Sequence, residues 1–227
     1  MNKKISVIFM LTGILFTVCL IVANIVESKL INVFGITATA GLIIFPVSYI
    51  LNDVIAEVWG YRKARLIIWI GFAMNFLAVT VFKISIALPA SPFFENQHAF
   101  ETILGNTQRI AAASFIAFLC GSFLNAFIMS KMKVMTQGRG FSVRAVVSTL
   151  FGESCDSLVF FTIAFFGVLP NSELLILIGT QTAMKTGYEI VALPLTNAVV
   201  RWVKRVENED VFDENISYNP LNIGQLE

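Results

Sequence analysis

Six long apolar runs dominate this sequence, and three of them hold ionisable residues well inside the apolar stretch. The runs cover residues 5–26, 39–59, 66–88, 110–130, 145–168 and 174–203. Each can cross the hydrocarbon core of a bilayer, which takes about 20 apolar residues. A charge at the centre of such a span costs roughly 2.5–3.5 kcal/mol on translocon scales, so it must face a polar cavity, pair or take up a proton. The pattern predicts an all-α integral membrane protein, a bundle of six transmembrane helices with a polar pathway inside.

Composition supports this fold class and limits the chemistry. Of the 227 residues, 56% are hydrophobic and 14% charged, whereas soluble domains typically have about 25% charged residues. Residues 1–205 are predicted to form one transmembrane transport domain, and residues 206–227 a polar, acidic, partly disordered cytoplasmic tail. The three cysteines lie in apolar runs without CxxC spacing, and the chain has one histidine. We therefore predict no disulfide framework, no metal site and no cofactor.

Basic residues indicate the orientation of the spans. Lysines and arginines cluster at the N-terminus and in segments 62–65, 131–144 and 201–205. With six spans these clusters fall on one side of the bilayer, which the positive-inside rule makes cytoplasmic. Both termini are then predicted to be cytoplasmic. Because topology explains the basic loops, no direct binding of nucleic acid is predicted.

The second run carries a helical stripe of aromatic and acidic residues. Phe45, Tyr49, Asp53 and Glu57 recur at intervals of four, which places them on one face of a helix. Such a face is suited to line a polar cavity and bind substrate. Glu57 lies near the end of its run, so reaching the headgroups or pairing with Arg62 is an alternative role for it.

The fifth and sixth runs add further charges near the middle of the bilayer. Glu153 and Asp156 lie near the midplane of the fifth run, and Gln181 and Lys185 lie on a stripe of the sixth. All four are candidate substrate-binding residues. A permanent salt bridge of Lys185 with Glu189 or Asp156, holding the bundle in register, is the structural alternative. Carboxylates outnumber the single intramembrane lysine, so some must protonate, bind cations or hold ligands rich in hydrogen-bond donors.

Two asparagines complete the candidate site. Asn24 ends the first run, where it either lines an entrance or caps a helix, and Asn125 lies on the fourth run. The fourth run also places Ala113, Ala117 and Gly121 at intervals of four, a small-residue face that permits close helix packing. That face could serve the intrachain bundle or a homo-oligomer, and the sequence leaves the oligomeric state open.

Several segments together resemble a known family. They are NVFG at 32–35, FPVSYILNDVIAEVWGYRKAR at 45–65, RIAAASFIAFLCGSFLN at 109–125 and STLFGESCDSLVFFTIAFFG at 148–167, with Asn24 and Lys185. In these the chain resembles the queuosine precursor transporter family, also called the vitamin uptake transporter or YhhQ-like family. The resemblance covers all six runs and omits the tail. It implies uptake of 7-deazaguanine precursors of the tRNA base queuosine across the cytoplasmic (inner) membrane of a bacterium.

The resemblance also assigns substrate-binding residues. By matching position, the family pattern carries over onto Asn24, Asp53, Asp156 and Lys185. Some members place Arg and Asn where this chain has Glu57 and Glu153, which leaves open which precursor is carried. The implied substrates are 7-cyano-7-deazaguanine, 7-aminomethyl-7-deazaguanine and queuine, whose N1–H and amino donors suit a carboxylate and whose carbonyl suits a lysine.

Two other classes of function remain as alternatives. The chain could be the substrate-binding subunit for a vitamin or nucleobase, energised by a separate ATP-hydrolysing module, because it has no P-loop itself. An intramembrane enzyme could use the paired acids, but the sequence lacks GxSxG, HExxH and a Cys/His pair. We therefore predict a transporter for a small nucleobase-like molecule and not an enzyme.

Overall fold

The computed structural model describes residues 6–26, 29–33, 36–105, 108–167 and 170–222, most of which are helical. The α-helices of this part are α1 Val7–Val26, α2 Phe45–Ala87, α3 Gln97–Leu104, α4 Gln108–Met135, α5 Phe141–Phe165 and α6 Asn171–Glu207. A small antiparallel hairpin, β1 Leu30–Val33 with β2 Ile36–Thr39, and a 3₁₀ turn Ala40–Ile43 connect α1 to α2. The predicted helical architecture is confirmed, and the hairpin is an addition to it.

Burial in the bundle is the reverse of that in a soluble protein. On α1, Leu11, Ile14 and Val18 are exposed, whereas Phe16 and Leu20 face the core. Seven ionisable side chains in the described part are at most 1% exposed: Asp53, Glu57, Arg65, Lys133, Arg144, Glu153 and Glu189. Large exposed apolar surfaces mark contact with lipid or partners. Apolar residues outside and charges inside are what a bilayer requires of a helical bundle.

Four helical stretches are long and apolar enough to cross a membrane. Judged by length and composition, they are Val7–Val26, Ala40–Ala87, Ala111–Met135 and Phe141–Phe165. The second has 48 residues, more than twice the length of about 20 that one crossing requires, and it contains two of the runs identified in the sequence. Helix α6 is outside this group, since Gln181, Lys185 and Glu189 interrupt its apolar sequence.

Gly60 divides α2 into two arms, residues 45–59 and 61–87. Its backbone has φ 81° and ψ 172°, which is not helical and lies in a region that favours glycine. A Cβ at this position would lie 2.7 Å from the Asp213 carboxylate oxygen Oδ1. Both the backbone and the available space therefore require glycine at this point.

The first arm of α2 runs parallel to α4. Tyr49 lies beside Gly121, where an added Cβ would come within 2.5 Å of the tyrosine hydroxyl. One turn further along both helices, the Asn52 amide donates a hydrogen bond to Asn125 Oδ1 at 2.8 Å. Residue numbers therefore rise together along the two helices.

The second arm of α2 runs antiparallel to α4. The Trp69 ring is 5.8 Å from the Phe123 ring, and further along the arm Phe76 meets Phe115, earlier in α4, at 5.7 Å. The two arms therefore run in opposite directions and form a helical hairpin that turns at Gly60. This places the two predicted runs of residues 39–59 and 66–88 on adjacent antiparallel helices.

Helices α4 and α5 approach closely through glycines. A Cβ added to Gly152 would lie 2.8 Å from Asn125 Cβ, and one added to Gly121 would lie 2.8 Å from Asp156 Cβ. On the same face of α4, Ala113 and Ala117 are at most 1% exposed. The small-residue face of α4 is therefore covered within the chain itself.

The segment after α6 packs against the end of the bundle where α2 turns back. Asp213, 7% exposed, accepts hydrogen bonds from the Tyr61 backbone N–H at 2.7 Å and from the Ser130 hydroxyl at 2.5 Å. The Tyr218 ring lies 4.9 Å from the Tyr61 ring and 5.0 Å from the Phe127 ring. Residues 210–220, which we name the tail strap, thus carry their own tertiary contacts.

Backbone carbonyls of the tail strap satisfy two donors of α2. The Arg65 guanidinium donates to the carbonyls of Ser217 and Asn219 at 3.2 and 2.9 Å, and the Trp69 indole donates to that of Pro220 at 2.8 Å. The strap therefore supplies acceptors for a buried arginine. The last five residues of the tail, and the N-terminal lysines used to orient the spans, lie outside the described residues.

Candidate functional site

An ion-pair cluster joins α5 to α6 in the interior of the bundle. Lys185 Nζ lies 2.8 Å from Glu153 Oε2 and 3.2 Å from Asp156 Oδ2. The Glu153 side chain is fully buried, whereas those of Asp156 and Lys185 are 9% and 13% exposed. We name these three residues the lysine cluster. The sequence left Glu189 and Asp156 as alternative partners for Lys185. The structure shows the ion pair with Asp156 and a second ion pair with Glu153.

Aromatic rings of α2 cover the lysine cluster. Lys185 Nζ lies 4.2 Å from the centre of the Phe45 ring, a cation–π contact, and the Phe45 and Tyr49 rings are 5.7 Å apart. The Tyr49 hydroxyl is buried and has no hydrogen-bond partner among the described residues. Gly121 leaves the space for this hydroxyl, because a side chain there would collide with it.

Other buried polar atoms near the cluster also lack a hydrogen bond within the described part of the chain. They are Glu153 Oε1 and the hydroxyls of Ser157, Thr182 and Thr186. Thr186 adjoins Lys185 on α6, and Thr182 lies one turn away from it. Buried polar groups are nearly always paired. Such a set of unmatched donors and acceptors is suited to a polar ligand.

Asp53 and Glu189 form a second acidic group, one turn along α2 and α6 from the lysine cluster. They are 0% and 1% exposed and lie between the ion pairs of Lys185 and those of Glu57. Asp53 Oδ1 accepts a hydrogen bond from the Ser148 hydroxyl at 3.3 Å. We name Asp53 and Glu189 the carboxyl pair.

Two ionised carboxylates would be unfavourable at this buried position, where three of their oxygens have no hydrogen-bond partner among the described residues. Two unit charges about 4 Å apart repel by about 4 kcal/mol at an effective dielectric constant of about 20. A carboxylate is an acceptor only, so two carboxyl groups can hydrogen-bond to each other only if one of them is protonated. Neutral donors surround the pair, whereas the bases of this region make ion pairs with Glu57, Glu153, Asp156 and Asp210.

Glu57 marks a third polar group, one turn beyond Asp53 on α2. Its Oε1 atom lies 2.7 Å from Arg144 Nη2 of α5 and 2.6 Å from Lys204 Nζ of α6. Glu57 and Arg144 are both fully buried. The expectation that Glu57 reaches the headgroups or pairs with Arg62 is corrected, because its carboxylate points into the bundle and binds two other bases.

The tail strap extends this third group. Asp210 Oδ1 lies 2.5 Å from Lys133 Nζ and 2.9 Å from Lys204 Nζ. Partial burial alone would raise the pKa of Asp210, but the hydrogen bonds and charges of the two lysines outweigh it and hold that pKa below its ordinary value. Lys133 also donates to the backbone carbonyls of Glu57 and Val211. The strap therefore links α4 to α6 at this level, which we name the basic level.

The three groups succeed one another along the first arm of α2. Tyr49 lies at the lysine cluster, Asp53 in the carboxyl pair and Glu57 at the basic level. Steps of four residues on a helix correspond to about 6 Å. A molecule leaving the lysine cluster in this direction would therefore meet the carboxyl pair and then the basic level, where ion pairs hold α2, α5 and α6 together.

Two predicted residues lie apart from this series. The Asn24 amide donates to Asn75 Oδ1 at 3.1 Å and its Oδ1 accepts from the Ser114 hydroxyl at 3.2 Å, so it ties α1 to α2 and α4. Gln181 is half-buried on α6, one turn from Lys185. Asn125, in contrast, lies directly at the carboxyl pair.

Sequence reasoning missed three partners of the predicted acids. Glu189 had been considered only as a partner of Lys185, although its place on the same stripe could have marked it as a site residue. Arg144 and Lys204 had been used only to set the topology. Each lies one residue outside a predicted run, 145–168 for Arg144 and 174–203 for Lys204, and this closeness was the available signal that they could reach a buried acid.

A bundle with lipid-compatible outer surfaces and a series of charged groups in its interior is typical of helical membrane proteins that move polar molecules or ions. The chain belongs to the vitamin uptake transporter family, because the family described as "Putative vitamin uptake transporter" matches residues 39–199, most of the chain. The resemblance found in the motifs is thereby confirmed. The family is therefore one of transporters, which are not a class of enzyme.

Curated bacterial relatives agree with this family. A "Probable queuosine precursor transporter" of Bacillus subtilis is 29% identical over 194 residues, 84% of this chain and 82% of the relative. One of the same name from Haemophilus influenzae is 32% identical over 138 residues, covering 60% and 55% of the two chains. The "Queuosine precursor transporter" of Escherichia coli is 29% identical over 135 residues, covering 60% and 58%. No solved structure matches the chain.

These relatives and the apolar helices make the chain an integral protein of the bacterial inner membrane. The alignments with the second and third relatives span little more than half of their length.

Proposed function

We propose that this protein imports queuosine precursors, namely 7-cyano-7-deazaguanine, 7-aminomethyl-7-deazaguanine or queuine, through a midplane site at the lysine cluster. The names of the relatives support the substrate class. The observation that carries the site is the meeting of Glu153, Asp156 and Lys185 beneath the rings of Phe45 and Tyr49.

The chemistry of a 7-deazaguanine suits these groups. Its N1–H and amino group form a pair of donors that one carboxylate can accept in bidentate fashion, and its carbonyl can accept from Lys185. The base plane can stack on an aromatic ring. The unmatched Tyr49 hydroxyl and Glu153 Oε1 provide one further donor and one further acceptor for the ligand.

A route across the membrane follows from the order of the polar groups. We place six spans in the bilayer, with the two arms of α2 and helix α6 counted as spans and both termini in the cytoplasm. The basic level then lies on the cytoplasmic side and closes the bundle there, since Arg144 and Lys204 clamp Glu57. Import requires these ion pairs to separate after the precursor has bound.

Competition uptake tests the substrate class. Proteoliposomes that contain only this chain are supplied with labelled 7-cyano-7-deazaguanine. Unlabelled queuine, 7-aminomethyl-7-deazaguanine, guanine and adenine are then added in turn as competitors. We expect the deazaguanines to compete and adenine to fail, because adenine presents an acceptor at N1 where the carboxylate needs a donor. Competition by adenine equal to that of the precursors would exclude the proposed recognition.

The same experiment separates a self-sufficient transporter from a binding subunit. Uptake by the chain alone supports the transporter, whereas binding without uptake would indicate that an ATP-hydrolysing module is required. Exchange of the Glu173 carboxylate, exposed at the start of α6, for an amide provides a control that leaves the site intact.

A further inference from the structure

We propose that Asp53 and Glu189 form a proton-binding site that is separate from the substrate site. In this conformation the carboxyl pair shares one proton, and it releases that proton when water reaches it during the transport cycle. The proton site itself stands on the contacts of these two residues. Its link to transport rests on the proposed function.

The burial of the pair excludes two ionised carboxylates. Asp53 and Glu189 are 0% and 1% exposed, and both lie between the ion pairs of Lys185 and those of Glu57 on α2 and α6. Both Glu189 oxygens and Asp53 Oδ2 lack a donor among the other described groups. One proton between the two carboxyls supplies the missing donor and removes one buried charge at the same time, as in carboxyl dyads that share a site.

Charged and titratable groups on every adjoining helix set the environment of the pair. From α2 these are Tyr49 and Glu57, from α4 Lys133, from α5 Arg144, Glu153 and Asp156, and from α6 Lys185 and Lys204. The bases among them are engaged in the ion pairs of the lysine cluster and the basic level. The pair therefore lies between the lysine cluster, which has two carboxylates for one lysine, and the basic level, which has three bases for two carboxylates.

The proposed step moves one proton and no other group. One O–H bond forms on an oxygen of Asp53 or Glu189 when the pair takes up a proton from water, and the same bond breaks when the proton returns to water. Separation of Arg144 and Lys204 from Glu57 would admit that water, since this level lies one turn from Asp53. Hydration then allows both carboxylates to ionise.

Infrared spectroscopy of the purified protein detects the shared proton directly. The carbonyl band of a protonated carboxyl is distinct from carboxylate bands and shifts in heavy water. At pH 7.5 we expect the spectrum of the wild type minus that of the Asp53→Asn, Glu189→Gln double variant to show one protonated carboxyl. The substitutions are close in shape and retain hydrogen bonding, and Glu173→Gln, an exposed change on the same helix, should leave that band unchanged.

A difference spectrum that contains only carboxylate bands would overturn the proton site. Should the double variant fail to fold, an alkaline titration of the wild type replaces it. Loss of the carbonyl band of one buried protonated carboxyl at high pH supports the site, and a spectrum without such a band contradicts it. Neither measurement depends on the identity of the substrate. A failure of precursor uptake would therefore leave the infrared result standing.

The pH dependence of exchange tests the link to transport. With equal pH on both sides of the liposome membrane, a one-proton requirement lowers the exchange rate by up to about tenfold per pH unit on the alkaline limb. We expect Glu189→Gln to flatten this dependence and Glu173→Gln to preserve it. An unchanged pH profile in Glu189→Gln would contradict the link. Replacing sodium with choline tests the other assignment: exchange that requires sodium would assign the pair to a metal cation.

Discussion

Lys185 compensates two buried carboxylates at once, which makes it the residue on which both the stability and the proposed activity of the site depend. Its ammonium lies 2.8 Å from Glu153 and 3.2 Å from Asp156. Ion pairs buried in a membrane-protein bundle can be structural, functional or both. Removing Lys185 alone, and then together with one of its carboxylate partners, distinguishes the two roles.

We expect Lys185→Met to lower the free energy of unfolding by about 3–5 kcal/mol, the usual cost of breaking a buried ion pair from one side. Adding Glu153→Gln removes one of the orphaned charges, so the double variant should regain part of that loss. Neither variant should take up precursor, because the ligand loses its donor. Chemical denaturation measures the stability, and wild-type stability of Lys185→Met would contradict a compensating role.

Tyr49 allows a cleaner test of ligand binding. Because its buried hydroxyl has no partner among the described residues, Tyr49→Phe should not lower the stability of the empty protein and should raise it if the hydroxyl stays unpaired. If the hydroxyl binds the precursor, the dissociation constant should rise about fivefold, equivalent to about 1 kcal/mol. Equilibrium binding and thermal unfolding measure the two effects.

Tyr61 is the matched control for that substitution. Its hydroxyl donates to the carbonyl of Tyr218 at 3.0 Å, far from the lysine cluster. Tyr61→Phe should therefore lower the melting temperature without changing the affinity for precursor. Equal affinities for the wild type and Tyr49→Phe would remove Tyr49 from the binding site.

At the scale of elements, the fold depends on the reversal of α2 at Gly60. The two arms bring Asp53 and Glu57 against α5 and α6 while the second arm packs on α1 and α4. A glycine with φ 81° both permits the turn and leaves room for Asp213 of the tail strap. The turn thus couples the hairpin to the strap.

Gly60→Ala should be more destabilising than Gly167→Ala. Both glycines have φ near 80°, but only the Cβ at Gly60 would meet Asp213, whereas no described atom lies within 4 Å at Gly167. At Gly60, where ψ is 172°, a residue other than glycine would also carry a backbone strain of roughly 1–3 kcal/mol. Thermal unfolding of both variants tests this. Equal losses of stability in the two variants would mean that the strap does not contact the turn closely.

The long helices were predictable from sequence because apolar runs cover most of each of them, whereas the short α3 lies between two runs. The stripe from Phe45 to Glu57 correctly placed Tyr49 and Asp53 on an interior face. The tail strap was not predictable, because Asp213 finds its partner Tyr61 at a separation of 152 residues. Backbone carbonyls such as that of Asn219 leave no signature in a sequence.

At the scale of the whole molecule, charge is arranged in successive levels. The lysine cluster is partly accessible, the carboxyl pair is sealed, and the basic level ties α2, α4, α5 and α6 to the tail strap. The sequence identified most acids of these levels and offered Asp156 as one of two partners for Lys185. It did not give the partners of Glu57, since a helical stripe fixes depth and face without fixing the opposing helix. Glu189 illustrates this, because the same stripe would have allowed it to pair with Lys185.

The central claim is that the lysine cluster binds the transported precursor, and uptake by Asp156→Asn tests it most directly. Asp156 accepts from Lys185 and contributes its carboxylate to the partly accessible side of the cluster. Labelled 7-cyano-7-deazaguanine is supplied to proteoliposomes with wild type, Asp156→Asn or the exposed control Glu173→Gln. We predict uptake by the wild type and the control and none by folded Asp156→Asn; uptake by Asp156→Asn at the wild-type rate would contradict the account.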